Sequence, residues 1–355
     1  MYRNAKLLNI VMGGGGVKGI AYAGAIDAVR RKGFVPQSLA GVSAGAIAAA
    51  LVGAGYDAQG MWDTLETLEF DKLYVDAIEK RVPVVKYLAE YARRSKLPPG
   101  EMLMAFLNPR PYKGKYYRRF GISGWQRTMV NERLKGIAKS ILTFCKEGCL
   151  FDGDILEEWM ADALAKKGIR TFADLRGGKA NESNPLGYRV RMTGVDCNRL
   201  KIITLPDDAV FYGIEPDKLE VAKAVRISTA VPFAFKPVTL YRKEGSTRVQ
   251  YNLVDGGVLD SFPSWLIGNN GTHTAGFRLH SSTSKPFGMD TPIAMLKGLI
   301  TSVHDIGAPS ENVVMPTLMG EIDTGEINFL DFGLSNEEKR KLYESGSRTA
   351  MDLLG

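Results

Sequence analysis

The chain has 355 residues, 45% of them apolar and 24% charged, with a formal net charge of +7, three cysteines and three histidines. That length suits one large α/β domain or two smaller ones, and the apolar fraction excludes wholesale disorder. Cys145, Cys149 and Cys197 cannot build a disulfide framework and no Cys/His set has zinc-ligand spacing, so a reducing compartment is expected, with neither metal nor cofactor.

In chain order, Lys6–Met12 (KLLNIVM) reads as a buried strand running straight into Gly13–Gly16. No small-residue cleavage site follows it, so a first strand is expected there and not a signal peptide. Val17–Lys32 has helical spacing, with Ile20, Ala23, Ile26 and Val29 near one face and Gly33 closing the helix. Ser38–Val42 reads as a short strand and Ala44–Val52 as an Ala-rich helix. No residue from Gly33 to Tyr56 is charged, a run long enough to cross a bilayer. Its Ala and Gly content, with Pro36, Gln37, Ser38 and Ser43, argues instead for a buried strand, turn and helix.

Further helices are expected at Ala58–Phe70, Pro83–Arg94, Asn131–Phe144, Asp154–Lys167, Leu219–Ile227, Pro292–Ile306 and Ser335–Leu353. Tyr188–Val195 and Lys201–Leu205 read as paired strands across a turn at Asn198. Strands near Val238–Tyr241 and Val249–Val254 lead into Asp255-Gly256-Gly257, and Thr274–Leu279 is another. Strand, helix, strand, helix at the start predicts an α/β fold with a mostly parallel central sheet and helices on its faces. One domain is expected over residues 1–355, with a core at about 5–285 and a helical extension at about 286–355.

The charge is unevenly spread. Between Lys80 and Lys139 fifteen Lys/Arg face three acids, a local +12, so the remainder sums to about −5. Tyr87, Tyr91, Phe106, Tyr112, Tyr116, Tyr117, Phe120 and Trp125 lie among them. Basic and aromatic residues together suit an anionic membrane surface or an acidic ligand, and no nucleic-acid motif accompanies them. This insert, with its turn-rich tract Leu107–Gly124, is expected to form a lid or a docking face.

Three motifs carry chemistry. Gly14-Gly15-Gly16-Val17-Lys18-Gly19 joins a strand to a helix. It matches G-x-G-x-x-G, yet no acid lies in Gly33–Val42, where a dinucleotide site needs one for the ribose. A P-loop fails as well, since no Gly-Lys-Ser/Thr closes the motif. What remains is a run of exposed backbone N–H groups at a helix start, suited to a phosphate or to a developing oxyanion. Gly41-Val42-Ser43-Ala44-Gly45 is G-x-S-x-G at a strand-to-helix turn, the context in which a serine hydroxyl is pushed out as a nucleophile.

A serine nucleophile needs a base. Asp255 followed by His273, His280 or His304 has the chain order of a triad, but Ser43 comes after only the second strand and no histidine has a distinctive setting. Asp255 does: a strand delivers it, and Gly256-Gly257 turns the backbone away. A carboxylate near its ordinary pKa of about 3.9 is a weak base, and a dry cleft would raise it.

GGGGVKG (13–19), GVSAG (41–45) and DGG (255–257) together resemble the patatin-like phospholipase family. LFDGDILEEWM (150–160), MTGVDCNRLKII (192–203) and VRISTAVPFAFKPV (225–238) fit its weaker patterns. The resemblance implies a three-layer α/β/α fold and a Ser–Asp dyad with Ser43 as nucleophile and Asp255 as base. Gly14, Gly15, Gly16 and Lys18 would then form the oxyanion loop, and Gly19, Gly41, Gly45, Gly256 and Gly257 would be the motif glycines. It implies acyl hydrolysis of glycerophospholipids at a membrane surface by a cytoplasmic, peripherally associated enzyme. Some members of that family are gated by a cyclic nucleotide in antiphage defence, and others are secreted as effectors. Two readings compete: a non-catalytic nucleotide receptor built on the glycine loop, and a Ser-His-Asp esterase.

Overall fold

The computed structural model describes residues 6–68, 153–281, 316–327 and 334–355. The chain divides into two compact units, Met1–Phe70 with Gly153–Gly355 and, separately, Asp71–Asp152. The second unit lies outside the described residues. So do the basic tract, Cys145, Cys149, His304 and the helices expected at Pro83–Arg94, Asn131–Phe144 and Pro292–Ile306.

The described residues of the first unit hold eight strands. They are β1 (Lys6–Met12), β2 (Phe34–Gly41), β3 (Val190–Asp196), β4 (Lys201–Leu205), β5 (Val238–Glu244), β6 (Thr247–Asp255), β7 (Thr274–His280) and β8 (Leu318–Asp323). Six α-helices among the described residues accompany them: α1 (Ala21–Arg31), α2 (Ala44–Gly53), α3 (Ala58–Glu66), α4 (Gly153–Ala165), α5 (Val221–Ser228) and α6 (Asn336–Leu353). The order is β5-β6-β3-β2-β1-β7-β8, with β4 also on β3. β1, β2, β3, β7 and β8 run parallel, whereas β4, β5 and β6 pair antiparallel, so the sheet has a parallel centre and an antiparallel flank.

The pleat sorts the strand side chains. Leu8, Ile10, Met12, Leu39, Val190 and Met192 join one core cluster with side chains of α1, α2, α4 and α5. Val11 and Ala40 point the other way, against Phe262, Leu266 and Ile267. Among the described residues that second face is covered by the segment after Asp255 and not by an α-helix. The uncharged run Gly33–Tyr56 is β2, a turn and α2; nearly all of α2 is buried, so the missing charges reflect its place in the core. No helix among the described residues is long and apolar enough to cross a membrane.

The sheet continues past the expected core limit of 285. β8 lies beside β7, Leu318 level with Ala275 and Asp323 with His280, within a stretch expected to be helical. It alternates buried Gly320 and Ile322 with exposed Glu321 and Asp323, a pattern too short and too acidic to stand out in the sequence. α6 starts at a capping box, Ser335 with Glu338, and buries Leu342, Gly346 and Ala350. Its backbone touches α1: a Cβ on Gly346 would lie 1.9 Å from the Ala21 carbonyl oxygen, and one on Gly24 equally close to that of Tyr343.

One feature of the register positions everything that follows. β3 has two edges but three partners. β4 pairs with Met192–Asp196, β2 with Val190–Met192 and β6 with Gly194–Asp196. Since β4 overlaps both of the others, β2 and β6 must share the opposite edge, end to end. β2 runs parallel to β3 and β6 antiparallel, so their C-terminal ends point at each other. Gly41 is level with Met192 and Asp255 with Gly194, which leaves about 7 Å of strand between them.

Candidate active site

Two residues beyond Gly41, on the β2 side of that gap, comes Ser43. It has φ 54° and ψ −121°, a backbone conformation that costs a residue with a Cβ about 1–3 kcal/mol and persists only where its surroundings impose it. Here the surroundings are backbone. The Val42 N–H reaches the Met12 carbonyl at 3.3 Å, and the Gly45 N–H donates to the Val42 carbonyl at 2.8 Å. A Cβ on Gly45 would fall 2.0 Å from the Met12 carbonyl oxygen, and one on Gly41 would fall 2.2 Å from that of Gly45. Both glycines of the motif are thus steric requirements of a helix that starts against the end of β1. Ser43 itself is buried, 2% exposed.

Asp255 ends β6 and is fully buried. One carboxylate oxygen, Oδ1, accepts the Gly257 N–H at 2.7 Å, which orients the group. Gly256 has to be glycine because a Cβ there would meet Thr193 Oγ1 at 2.3 Å. The end of α5 and the residues just after it hold the backbone of both predicted residues. Ser228 Oγ accepts the Ser43 N–H at 3.1 Å, and the Ala230 carbonyl accepts the Asp255 N–H at 3.0 Å.

The glycine loop closes a third side. Gly13 N–H donates to Phe277 O and Gly14 N–H to Ser261 O, both at 3.0 Å, so these amides are occupied in holding the loop. The Gly15 and Gly16 N–H groups have no acceptor among the described residues. Gly16 takes φ +56°, and a Cβ on Gly19 would press on that of Ala44 at 2.8 Å, so the loop packs against the start of α2. Lys18 is buried and its N–H donates to the Gly15 carbonyl at 3.2 Å. Beneath the loop the Tyr22 hydroxyl donates to the Gly13 carbonyl at 2.7 Å, and burial pushes that phenol far above its ordinary range, so it stays a neutral donor.

The two described histidines lie elsewhere. His273 precedes β7, at the sheet edge where β1 enters, and is exposed. His280 is exposed at the end of β7, with β1 between its strand and β2. Two groups that shape the site gave no signal in the sequence: Ser228, an unremarkable serine at a helix end, and Thr193, one of a run of strand residues. Ser228→Ala would leave the Ser43 N–H without its partner in a buried place, and an unpaired buried donor costs about 1–3 kcal/mol. Urea denaturation should show a loss of that size, with a parallel fall in kcat.

The described residues contain no His/Cys/Asp/Glu group that could hold a metal ion. A buried serine on a strained turn, a buried carboxylate at the end of the strand that meets β2 along β3, and two amides with no acceptor among the described residues are groups of the kind that acyl transfer uses. A family model described as patatin-like phospholipase matches residues 10–265. The Bacillus subtilis (strain 168) protein YqhO is 33% identical over 257 residues, covering 72% of this chain and 65% of its own. The crystal structure of VipD from Legionella pneumophila matches at 18% identity and a TM-score of 0.48, covering 99% of this chain and 66% of that one. The ExoU–SpcU complex of Pseudomonas aeruginosa matches at 17% and 0.37, covering 99% and 51%. The chain thus spans between half and two thirds of the length of these relatives.

Proposed function

Because the chain belongs to the patatin-like phospholipase family, we propose that it is a lipid acyl hydrolase that cleaves glycerophospholipid esters through a Ser43–Asp255 dyad. The observation that carries this reading is the head-to-head meeting of β2 and β6 on one edge of β3, which sets Ser43 and Asp255 about the gap. In the first half-reaction Asp255 takes the Ser43 proton as Oγ attacks the ester carbonyl carbon. The carbonyl oxygen becomes an oxyanion facing the Gly15 and Gly16 N–H groups, with the first N–H groups of α2 opening behind Ser43. Collapse of that intermediate breaks the ester bond, and Asp255 returns the proton to the departing lysolipid alkoxide. In the second, Asp255 takes a proton from water, the resulting hydroxide attacks the acyl-enzyme, and Ser43 leaves with its proton restored as the fatty acid is released.

The engaged Gly14 amide narrows the oxyanion donors to the two residues after it. A triad reading finds less support, since His273 and His280 are both exposed while Ser43 and Asp255 are buried. The test is product analysis by mass spectrometry after incubation with mixed phospholipid vesicles, with and without cyclic nucleotides. Wild-type protein should release free fatty acid and lysolipid, and Ser43→Ala should release neither. Equal release by the two proteins overturns the reading. An increase in release on adding a cyclic nucleotide would identify one as an activator.

A further inference from the structure

Arg226, on the last turn of α5, is the largest buried side chain among the described residues, 2% exposed. Taking a guanidinium out of water is costly, and an apolar side chain of similar size would fill the space without that cost, so its presence calls for an account. One contact is with the start of α4. A Cβ on Gly153 would fall 2.0 Å from Arg226 Cζ, 2.2 Å from Nε and 2.3 Å from Nη2. Distances so nearly equal put that point over the face of the guanidinium, whose plane is therefore stacked on the glycine. Asp154 Oδ1 lies 3.8 Å from Nε, and Gly153 is where the chain returns from Asp71–Asp152.

The other contact is with Lys236, whose carbonyl accepts from Arg226 Nη2 at 2.8 Å. That bond closes the chain from Arg226 to Lys236 into a loop. Inside it lie both groups that hold the candidate site, the Ser228 hydroxyl on the Ser43 N–H and the Ala230 carbonyl on the Asp255 N–H. The rest of the loop is a tight turn under strain. The N–H groups of Ala234 and Phe235 both donate to the Val231 carbonyl, at 3.1 and 2.8 Å, and Phe233 takes φ +64°. A backbone in that region keeps its conformation only where its surroundings impose it, and the guanidinium pins the two ends of the loop.

We infer that Arg226 is a positioning residue for the hydrolase reaction: braced between Gly153 and Lys236, it keeps Ser228 and Ala230 in place, and through them the nucleophile and the base; this rests on the lipid-hydrolase reading. A guanidinium suits the task because its face stacks on Gly153 while an N–H at its edge reaches Lys236. An ammonium has no such plane.

The test uses two variants that reach the brace from opposite sides. Arg226→Lys keeps the charge and loses the plane, whereas Gly153→Ala leaves Arg226 in the chain and drives its guanidinium away. On a water-soluble p-nitrophenyl ester each should lower kcat by about ten- to a hundredfold with KM within about twofold, since a reacting group misplaced by about 1 Å can cost about a hundredfold. Amide hydrogen exchange without substrate is the readout that a loss of overall stability would not reproduce. Peptides holding Ser43 and Asp255 should exchange at least about tenfold faster, while those from Lys6–Met12 and α6 keep wild-type rates. Arg226→Lys combined with Ser228→Ala should stay within about threefold of the slower single variant, because both loosen one tie. Should one variant not fold, the other carries the comparison. Wild-type kcat and exchange overturn the inference, as do exchange rates raised alike in every peptide or losses in kcat that multiply in the combined variant. Exchange needs no catalysis, so a Ser43→Ala protein that stays active would defeat the dyad and leave the brace to be upheld or overturned by exchange alone.

Discussion

Asp255→Asn should fold like the wild-type protein and lose about a thousandfold or more in kcat on a monomeric ester. Asparagine keeps an Oδ1 able to accept the Gly257 N–H, and it matches the carboxylate in size. What it lacks is a basic oxygen. General-base catalysis is worth about 10²–10⁴ in rate, and here the same group serves both half-reactions. His273→Ala and His280→Ala should each remain within twofold of wild type, because both side chains are exposed while Ser43 and Asp255 are buried. Rates from these three variants and from His304→Ala, with matching far-UV spectra, decide between dyad and triad. A histidine variant that falls as far as Asp255→Asn would restore the triad.

Gly45→Ala should be the most damaging single-methyl change in the site. Its Cβ would lie 2.0 Å from the Met12 carbonyl oxygen and 2.7 Å from that of Gly13, and neither is the end of a flexible side chain. The first turn of α2 would have to retreat from β1, moving Ser43 relative to the glycine loop. Overpacking of this kind costs about 3 kcal/mol, and the displaced nucleophile should cost kcat more than KM. Urea denaturation and steady-state kinetics on the same preparation test both parts. Gly60→Ala is the control, since Gly60 is half-buried and its nearest contacts, at 3.0 Å, are side-chain atoms of Asp57 and Tyr56, not backbone. A Gly45→Ala protein as stable and active as that control would refute the steric account.

Much of this was legible in the residues because the relevant physics is local. Lys6–Met12 is read to the residue, since a buried parallel strand needs little beyond an apolar run closed by glycine. Gly41, Ser43 and Gly45 identify a strand-to-helix turn by spacing alone. The helix expected over Val17–Lys32 is a 3₁₀ turn at Gly16–Ile20 followed by α1, because the glycine loop winds tightly before the helix settles. What was not legible depends on distant partners. That Ser261 takes the Gly14 amide, that Ser228 holds the Ser43 N–H, and that β8 joins the sheet are facts of tertiary pairing. No window of sequence around Gly14, Ser228 or Leu318 contains the group that meets it.

The end-to-end seating of β2 and β6 on β3 has a consequence for how such chains vary. The distance between the ends of the strands that carry Ser43 and Asp255 is measured out along one strand, by ladder hydrogen bonds at Met192 and Gly194, and by no connecting loop. Segments of any size can enter the chain between Ser43 and Val190, as the unit Asp71–Asp152 does, and leave that distance alone. A single residue inserted within Met192–Gly194 would instead part the pair by about 3.3 Å and invert the facing of every side chain beyond it. Tolerance of large additions and intolerance of the smallest one are thus two readings of the same ruler.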